Sequence, residues 1–479
     1  MIGDMIPFRI VGNVYFVGTY QASSHMIDTG DGLILIDVGY EETADVIEES
    51  LVALGYDVRD VRYILLSHGH GDHSDGVPRI VAKSGAKSFL FEDDVKYLHG
   101  FVPDVFLHDG DMIRLGNTEI LCLKTAGHTE GAASFFFDVE ESGQTLRVGM
   151  FGGAGANQLK KPYLDRRGLR YRLRGEFFES LERLRGQCVD VMLGNHCWHN
   201  KTKEKYEQSL TQTENPFIDP TEWGKFLDVC ETKLARVIAT EIREQFVNYA
   251  HRGASEYLPE NTFLAFYMGI YMGANGIETD VRRAKDGVLV LFHDNTLDRV
   301  TGEIGAVEDY TFAELQQFHV TKNGFYDKIV CFEDFLQHFS FRDLTFAIEL
   351  KGEGVEQETA ELLRKYHMES KCVVTSFHLD YIRNFKAYAP EFRVGYLTSE
   401  VYNELLVELI AIGVDELCPK ASMMTEESVR RWHRMGFRVR AWGVSDQDRM
   451  KQAYLSGADG MTVNFPDALT EYHQLQLQK

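Results

Sequence analysis

The chain has 479 residues and a net charge of −23, and 44% of its residues are hydrophobic. This length exceeds what one ordinary core accommodates and predicts two globular domains, which we place at residues 1–244 and 245–479. The negative charge argues against nucleic acid as a partner and against docking on anionic lipid, since both need a basic face.

The N-terminus shows no basic stretch followed by an apolar one, and no window approaches about 18 uninterrupted apolar residues. The 7 cysteines are scattered and contain no CxxC pair. We therefore expect a cytoplasmic protein without a signal peptide, a membrane span or a disulfide framework. The sequence leaves the oligomeric state open.

The first half alternates short strands with helices. Helical spacing predicts helices at 42–55 and from 219 to about 245. Runs of β-branched and aromatic residues predict strands at 14–18, 33–37, 63–66, 119–123, 133–139, 146–151 and 189–193. Every polar cluster of interest follows one of these strands, so we expect its side chains on loops along one sheet edge.

The most informative motif is Ser-His-Gly-His-Gly-Asp-His at residues 67–73, directly after a predicted strand. Side chains two positions apart in an extended segment point the same way, so His68 and His70 reach one metal ion together. Asp72 and His73 lie beyond, where the chain turns, and reach a second ion. Zinc prefers imidazole with some carboxylate, so the motif predicts a zinc centre.

Two further histidines would complete the ligand shells. His128 lies in the loop 125–131 and His196 in the loop 194–196, and each loop follows a predicted strand. A lone histidine is more often a core or surface residue, and we accept that interpretation for most of the 17 histidines. The dense 68–73 cluster favours metal binding instead.

A basic stretch at 160–174 interrupts this acidic chain. One interpretation is an anion-binding rim for a phosphate- or carboxylate-bearing substrate. The other is a solvated helix face with acidic neighbours, which is the commoner origin of such a pattern.

These motifs, with the Gly-Leu-Ile-Leu-Ile-Asp strand at 32–37, resemble the metallo-β-lactamase superfamily over about residues 7–245. The resemblance implies an αβ/βα sandwich, an outer-shell role for Asp37 and a catalytic role for Asp72. It also implies one zinc on His68, His70 and His128 and another on Asp72, His73 and His196.

One departure from the superfamily pattern concerns the metal bridge. Many of its hydrolases carry a bridging aspartate after a later strand, whereas residues 147–154 contain no acid. This is similar to the subclass B3 branch, in which hydroxide alone bridges the metals. The resemblance implies hydrolysis of an ester, lactone, amide or phosphoryl centre without choosing among them. A true β-lactamase is an alternative, and we expect inertness toward β-lactams because no export signal is present.

The second half alternates strand and helix to its end, which predicts a parallel sheet. Strand candidates are 247–251, 276–281, 288–292, 345–350, 371–376, 392–397, 415–419, 438–444 and 459–463. The turn signal at 285–287 makes the second and third of these antiparallel neighbours. Eight strands remain, which is the number that a (β/α)8 barrel requires.

A second candidate site follows from carboxylates and histidines at strand ends. Glu278 and Asp280 share one face of a strand, and Glu349 ends another. Three converging carboxylates form a hard oxygen site that suits Ca²⁺ or Mg²⁺. His251 and His293 end two further strands, and such a pair suits phosphodiester cleavage: one accepts the proton of the nucleophile and the other protonates the leaving oxygen.

Three further side chains are predicted to bind the substrate. Arg252 offers a planar fork for phosphate, and Lys351, after the strand that carries Glu349, is assigned to phosphate as well. Trp442 ends the strand at 438–444 and would pack on the alcohol portion.

These residues, with the motifs at 251–254, 259–262, 292–294, 376–377, 457–460 and 464–467, resemble the glycerophosphodiester phosphodiesterase family. The resemblance covers about 245–470 and implies a TIM barrel, metal on the three carboxylates, and acid–base roles for both histidines. It also implies that a substrate hydroxyl next to the phosphate attacks first and gives a cyclic phosphate. Departures at 299–301 and 463–465 lie beside the catalytic set and concern the leaving-group pocket.

The sequence therefore predicts a bifunctional metal-dependent hydrolase with a small-molecule phosphodiester substrate. Two alternatives stay open: one domain is only a binding module, or the barrel cleaves lipid phosphodiesters as phospholipase D-type barrels do. No Gly/Ser-rich or Pro-rich linker separates the halves, so we hypothesise that both sites act in sequence on one compound.

Overall fold

A computed structural model describes residues 5–478, which divide into two compact units. The first comprises the residues up to Tyr163 together with Leu173–Val237. The second comprises Leu164–Arg172 and the residues from Ile238 onward. The later boundary falls inside a single long helix, Glu222–Glu244, close to the helix predicted from 219 to about 245.

The first unit contains two sheets. The seven-stranded sheet has the order β1 to β7: β1 (Phe8–Val11), β2 (Val14–Phe16), β3 (His25–Asp28), β4 (Leu33–Ile36), β5 (Val61–Leu65), β6 (Lys87–Phe91) and β7 (Val105–Leu107). The five-stranded sheet has the order β12-β11-β10-β9-β8: β8 (Asp111–Leu115), β9 (Thr118–Lys124), β10 (Ala133–Glu141), β11 (Gln144–Phe151) and β12 (Val191–Leu193).

The helices along this half of the chain are α1 (Ala44–Ala53), α2 (Gly71–Ser74), α3 (Val77–Ser84), α4 (Lys161–Arg167), α5 (Arg172–Arg185), α6 (Thr202–Ser209) and α7 (Glu222–Glu244). Most of α4 and the end of α7 fall in the second unit. Phe16 and Phe135 join one core between the sheets, while Ile47 of α1 joins a separate core on the outer side of the first sheet. Trp223 of α7 packs on Phe136, which lies on the opposite face of the second sheet from Phe135. The predicted αβ/βα sandwich is confirmed.

The expectation that the metal-binding loops share one sheet was wrong. The loop after β5 belongs to the seven-stranded sheet, whereas the loops after β9 and β12 belong to the five-stranded sheet. After β7 the chain leaves the first sheet and starts the second, a change that strand patterns alone do not reveal. The candidate ligands therefore come from both layers of the sandwich.

The second unit is a closed barrel. Its strands are β13 (Val247–His251), β14 (Gly276–Arg283), β15 (Leu289–Leu291), β16 (Val320–Lys322), β17 (Phe325–Asp327), β18 (Val330–Cys331), β19 (Thr345–Leu350), β20 (Cys372–Ser376), β21 (Arg393–Thr398), β22 (Glu416–Pro419), β23 (Arg438–Val444) and β24 (Gly460–Val463). Parallel pairing runs through β13, β14 and β19 to β24, and β13 closes the ring by pairing with both β14 and β24. β15 pairs antiparallel with β14, as predicted. The (β/α)8 barrel is confirmed.

The helices of the second unit are α8 (Phe263–Tyr271), α9 (Asp298–Thr301), α10 (Phe312–Leu315), α11 (Phe332–Phe339), α12 (Glu356–Lys365), α13 (Leu379–Tyr388), α14 (Asn403–Ile412), α15 (Glu426–Arg434), α16 (Gln447–Leu455) and α17 (Pro466–Leu477). The carboxyl ends of parallel barrel strands meet at one mouth, where barrel enzymes place their active sites. Within residues 5–478, no helix has the length and apolarity needed to span a membrane.

Candidate metal centres and active site

Three histidines of the first unit converge in one place. Ligand atoms of His68, His70 and His128 all lie within 4.8 Å of one another. His70 Nδ1 lies 3.2 Å from His128 Nε2. Two imidazole nitrogens on a tetrahedral zinc ion are about 3.3 Å apart, so this spacing fits a shared zinc ion.

Outer hydrogen bonds fix two of these rings. His128 Nδ1 donates to Gly155 O at 2.8 Å. The Ser67 hydroxyl donates a hydrogen bond to Asp37, so Ser67 Oγ accepts a hydrogen bond from His68 Nδ1 at 3.1 Å. Each ring therefore presents Nε2 to the centre. Burial lowers the pKa of His128 to about 3 and the pKa of His68 well below its usual value, so both rings stay neutral, as metal ligands must be.

A second group shares His68 and adds Asp72 and His73, again with ligand atoms within 4.8 Å of one another. His73 is fully buried, and its Nδ1 donates to Asp37 Oδ2 at 2.8 Å. Its Nε2 has no hydrogen-bond partner but lies 3.3 Å from Asp72 Oδ2. Burial opposes the charged ring, but the two carboxylates outweigh it and raise the pKa of His73 to about 10. A cation between Nε2 and Asp72 would satisfy both groups, so these residues fit a metal ion.

His196 lies at the edge of this group. Its Nδ1 donates to Gln21 O, and its Nε2 is 3.9 Å from Asp72 Oδ2. The ring of Trp198 stacks on His196 with centroids 4.4 Å apart and holds its plane. The structure therefore brings all six predicted ligands together, with His196 the most loosely placed.

Two buried aspartates organise the loops that carry the ligands. Asp37 has a left-handed backbone (φ 57°) and accepts from the backbone N–H and hydroxyl of Ser67, both at 2.7 Å, as well as from His73. Asp94 accepts from Gly69 N at 2.9 Å and from Gly131 N at 2.6 Å, so it ties the 68–73 loop to the His128 loop. Sequence reasoning missed Asp94, because a single aspartate in an acidic run carries no distinguishing spacing.

The region expected to lack a bridging aspartate has no room for one. A β-carbon on Gly152 would overlap Ala133 O and lie 2.7 Å from Ser67 Cβ. A β-carbon on Gly153 would lie 2.8 Å from Ala132 Cβ. The backbone of this segment is therefore packed directly against the metal-binding loops.

In the second unit, three carboxylates meet inside the barrel mouth. Asp280 of β14 pairs in register with Glu349 of β19, and Glu278 lies two residues earlier on β14. The ligand oxygens lie within 4.8 Å of one another, and all three residues are buried. Asp280 Oδ1 has no hydrogen-bond partner.

Two cations face these carboxylates. Arg252 Nε lies 3.1 Å from Asp280 Oδ2, and Lys351 Nζ lies 2.6 Å from Glu349 Oε1. Burial and the neighbouring carboxylates raise the pKa of Glu278 and of Glu349, whereas Arg252 and Lys351 overcome burial and lower the pKa of Asp280. Two positive charges against three carboxylates leave one negative charge, which a divalent cation would convert into one net positive charge. The residues present fit such an ion.

The two predicted acid–base histidines line one cavity of about 290 Å³ with Arg252, Glu278 and Glu349. His251 Nδ1 donates to Asn464 Oδ1 at 2.6 Å, and its Nε2 lies 3.8 Å from Glu278 Oε2. His293 Nδ1 donates to Asp294 Oδ1 at 2.6 Å. Burial lowers the pKa of His251 to about 3 and also lowers the pKa of His293.

A chain of ion pairs connects the second histidine to the predicted phosphate fork. Asp294 accepts from Arg299, Arg299 binds both oxygens of Glu260 at 2.6 and 2.9 Å, and Glu260 binds Arg252 at 2.9 Å. Glu260 and Arg299, from the motifs at 259–262 and 299–301, therefore act on the carboxylate site through Arg252. Arg299 is retained although the residues after it depart from the family pattern.

Backbone strain lies at the same site. Arg252 (φ 55°) and Asn261 (φ 57°) adopt left-handed conformations that non-glycine residues seldom use. Asn261 N donates to Arg252 O at 2.9 Å, and Asn261 Nδ2 donates to Asp280 Oδ2 at 2.9 Å. The strained pair thus aims Arg252 at the carboxylates while supplying Asp280 with a second donor.

Trp442 and the basic stretch complete the predicted set. Trp442 Nε1 donates to Thr398 O at 3.0 Å, and its ring meets Phe377 edge-on at 4.8 Å in the cavity wall. In the basic stretch, Arg174 is buried and donates to Leu159 O, so it lies on no solvated face.

The fold and these two clusters define a hydrolase made of a metallo-β-lactamase-type sandwich and a TIM barrel. A model of the metallo-beta-lactamase superfamily matches residues 17–145, and a model of the glycerophosphoryl diester phosphodiesterase family matches residues 251–468. Native FEZ-1 metallo-beta-lactamase from Legionella gormanii is 28% identical, with a TM-score of 0.46 over 51% of this chain and 98% of that chain.

Two curated relatives are similar over nearly their whole length. A glycerophosphodiester phosphodiesterase from Bacillus altitudinis is 32% identical over 232 residues, which cover 46% of this chain and 94% of that protein. Protein YqiK of Bacillus subtilis, named as uncharacterized, is 33% identical over 230 residues, which cover 46% of this chain and 95% of that protein. The chain therefore belongs to the glycerophosphoryl diester phosphodiesterase family and carries a metallo-β-lactamase domain in addition.

Proposed function

We propose that the barrel hydrolyses glycerophosphodiesters to a glycerol phosphate and an alcohol with the help of one divalent cation, Ca²⁺ or Mg²⁺. The observation that carries this proposal is the buried cluster of Glu278, Asp280 and Glu349, of which Glu278 and Glu349 line one cavity with His251 and His293. A phosphodiester brings one negative charge, and a cation at the carboxylates gives the site the matching positive charge.

The hydrogen bonds of the two histidines distinguish their roles. Asn464 Oδ1 receives two donors, His251 Nδ1 and the Ser255 hydroxyl, so His251 carries its proton on Nδ1 and presents a bare Nε2. His293 donates to the Asp294 carboxylate, which offsets part of the effect of burial on the pKa of His293 and so favours its protonated form more than the neutral Asn464 does for His251. We therefore assign His251 as the proton acceptor and His293 as the proton donor.

The cleavage step follows from these roles. His251 Nε2 takes the proton of the attacking hydroxyl of the glycerol moiety while the new P–O bond forms. The P–O bond to the alcohol breaks, and His293 Nε2 protonates the leaving oxygen. Water then opens the cyclic phosphate with the two roles reversed, so both histidines return to their starting states. When bound, a divalent cation would draw negative charge from the phosphate oxygens.

The walls of the cavity would hold the substrate on both sides of phosphorus. Arg252 and Lys351 already face the carboxylate cluster and would donate to the phosphate oxygens. Trp442, Phe377 and Leu397 form an apolar wall in the cavity that contains His251, so we now assign Trp442 to the glycerol carbons instead of to the alcohol portion predicted from the sequence.

For the first unit we propose a hydrolase with two zinc ions. His68, His70 and His128 would hold one ion, and Asp72, His73 and His196 the other. Zinc, when bound, would make water acidic enough to ionise near neutral pH. Asp72 lies between His73 and His196, where its free lone pairs would orient the attacking water. The scissile bond is an ester, lactone, amide or phosphoester.

One experiment tests both proposals. The zinc- and calcium- or magnesium-loaded chain is assayed on glycerophosphodiesters, a phospholipid, lactones, thioesters and a β-lactam, alongside His70→Ala and His251→Ala. We expect glycerophosphodiester hydrolysis that only His251→Ala abolishes and a second activity that only His70→Ala abolishes. About two zinc ions plus one hard cation per chain should be found by metal analysis.

The outcomes separate the alternatives. Preference for intact phospholipid would support a lipid phosphodiesterase instead, and β-lactam turnover would make the first unit a β-lactamase. A first unit that binds no metal would be a binding module. If the two activities prove to have unrelated substrates, the hypothesis of sequential action on one compound is wrong.

A further inference from the structure

A second, larger cavity opens beside the barrel active site. Its volume is about 900 Å³. It shares His293 and Lys351 with the catalytic cavity but not His251. Since His293 is assigned to the leaving oxygen, this cavity lies on the side from which the alcohol departs.

The key side chain in this cavity is Arg282. It continues the alternation of Glu278 and Asp280 along β14 and is half-buried. Its Nε and Nη2 donate to His293 O at 3.0 and 2.7 Å, and its Nη1 donates to Lys351 O at 3.2 Å. These bonds use three of the five guanidinium N–H groups, so two remain for a ligand.

The charge of Arg282 is not paired. Its contacts within the described chain are with carbonyl oxygens, and no carboxylate there forms an ion pair with it. Burial lowers the pKa of Arg282, and the more distant carboxylates of Asp280, Asp294, Glu349 and Glu308 offset this only in part. The neighbouring Arg283 differs, because its guanidinium is bound by Glu358 at 2.7 Å.

The rest of the cavity is polar and mixed in charge. Lys285, Glu308 and Glu353 line it and are exposed. Asp294 lines it too and is half-buried, but its carboxylate is already bound by His293 and Arg299. Exposed charges of both signs are screened by solvent, whereas the half-buried Arg282 is not. A single tyrosine, Tyr381, is too little for the aromatic cage that binds a quaternary ammonium group.

We propose that this cavity is the subsite for the leaving alcohol and that Arg282 selects alcohols bearing an anionic group, such as a carboxylate, close to the scissile bond. The inference rests on the proposed phosphodiesterase function and specifies its substrate class. Arg282 also forms hydrogen bonds to the backbone carbonyls of His293 and Lys351. The side chain that would recognise the alcohol therefore also positions two residues of the catalytic cavity.

The test uses two substrates that differ by one carboxylate, glycerophosphoserine and glycerophosphoethanolamine. We expect the wild-type holoenzyme to prefer the serine compound in kcat/KM by about tenfold, the discrimination typical of a charge-assisted hydrogen bond. Arg282→Gln should remove most of that preference, and Arg282→Lys should keep part of it. A general loss of activity from displaced backbone would reduce both substrates equally and leave the ratio unchanged.

Arg430→Gln is the control, since this exposed arginine is paired with Glu426 and lines neither cavity, and its ratio should stay within about twofold of wild type. Equal use of the two substrates by wild type, or an unchanged ratio in Arg282→Gln, would overturn the subsite. If wild type cleaves neither substrate, the proposed function has failed. Calorimetric binding of O-phosphoserine against O-phosphoethanolamine to wild type and Arg282→Gln then decides the subsite, and equal affinities would reject it.

Discussion

The two candidate metal sites of this chain would hold their cations with different donor groups. The site in the first unit gathers five imidazoles and one carboxylate, and the barrel site gathers three carboxylates. The groups that surround these ligands differ as well. Acceptors such as Asp37 and Gly155 O surround the imidazoles, whereas Arg252 and Lys351 surround the carboxylates. The outer groups thus fix tautomers in one site and balance negative charge in the other.

This difference shows that the type of ligand group in a metal site determines which groups must surround it. A neutral imidazole leaves one N–H to satisfy, so its support is an acceptor of defined position. A buried carboxylate carries a negative charge that must be compensated, so a cationic side chain lies beside it. That cationic side chain in turn needs a further carboxylate as its partner. The ion-pair chain through Glu260 and Arg299 is the result, and the first site has no counterpart of that length among the described residues.

The largest expected effect comes from removing one residue of each site. His251→Ala should lower phosphodiesterase kcat by about 10²- to 10⁴-fold, the usual contribution of acid–base catalysis, and leave the zinc content unchanged. His70→Ala should lower the zinc content and leave phosphodiesterase kinetics unchanged. Metal analysis and kinetics on both variants check this, and a loss of both activities in either variant would contradict the separation of the sites.

A smaller effect is expected from the support of the zinc site. Asp37→Asn leaves one acceptor oxygen for His73 Nδ1 and for the N–H and hydroxyl of Ser67, and it removes the negative charge, so zinc affinity should fall about 10- to 100-fold. Competition with a chromogenic chelator measures the change. The exposed Asp138→Asn serves as control and should behave as wild type.

The support of the barrel site should matter less still. Arg299→Gln breaks the chain between Asp294 and Glu260, and we expect kcat to fall about tenfold. Loss of a nearby positive charge favours the protonated ring, so the pKa of His293 should rise and the basic limb of the pH–kcat profile should move to higher pH. An unshifted profile would mean that the chain does not act on His293. The exposed Arg364→Gln should change neither quantity.

The smallest effect concerns packing on the substrate. Trp442→Phe keeps an aromatic wall but loses area and the hydrogen bond to Thr398 O, so KM should rise about threefold with kcat nearly unchanged. Steady-state kinetics with one glycerophosphodiester measures this. A fall in kcat without a change in KM would place Trp442 in the chemistry instead of in binding.

Much of each site was predictable because its chemistry is encoded by short spacing. His68 and His70, like Glu278 and Asp280, lie two residues apart in extended chain, so a shared direction follows from the sequence alone. Asp94 was not predictable, because its three acceptor contacts depend on loops about 25 to 37 residues away. The division of the ligands between two sheets was missed for a similar reason, since pairing between strands is a property of the tertiary fold.

The alternation along β14 has a consequence for how this enzyme diversifies. One strand presents Glu278, Asp280 and Arg282 in succession on the same face, two for the cation and one for the departing group. The residues proposed for cation binding and for substrate selectivity therefore lie on one strand, β14, but are separate side chains. On the proposal above, exchange of residue 282 changes which alcohols are accepted and leaves Glu278 and Asp280 in place, at the expense of the bonds from Arg282 to His293 O and Lys351 O. A one-residue shift in strand register would instead turn all three side chains to the other face.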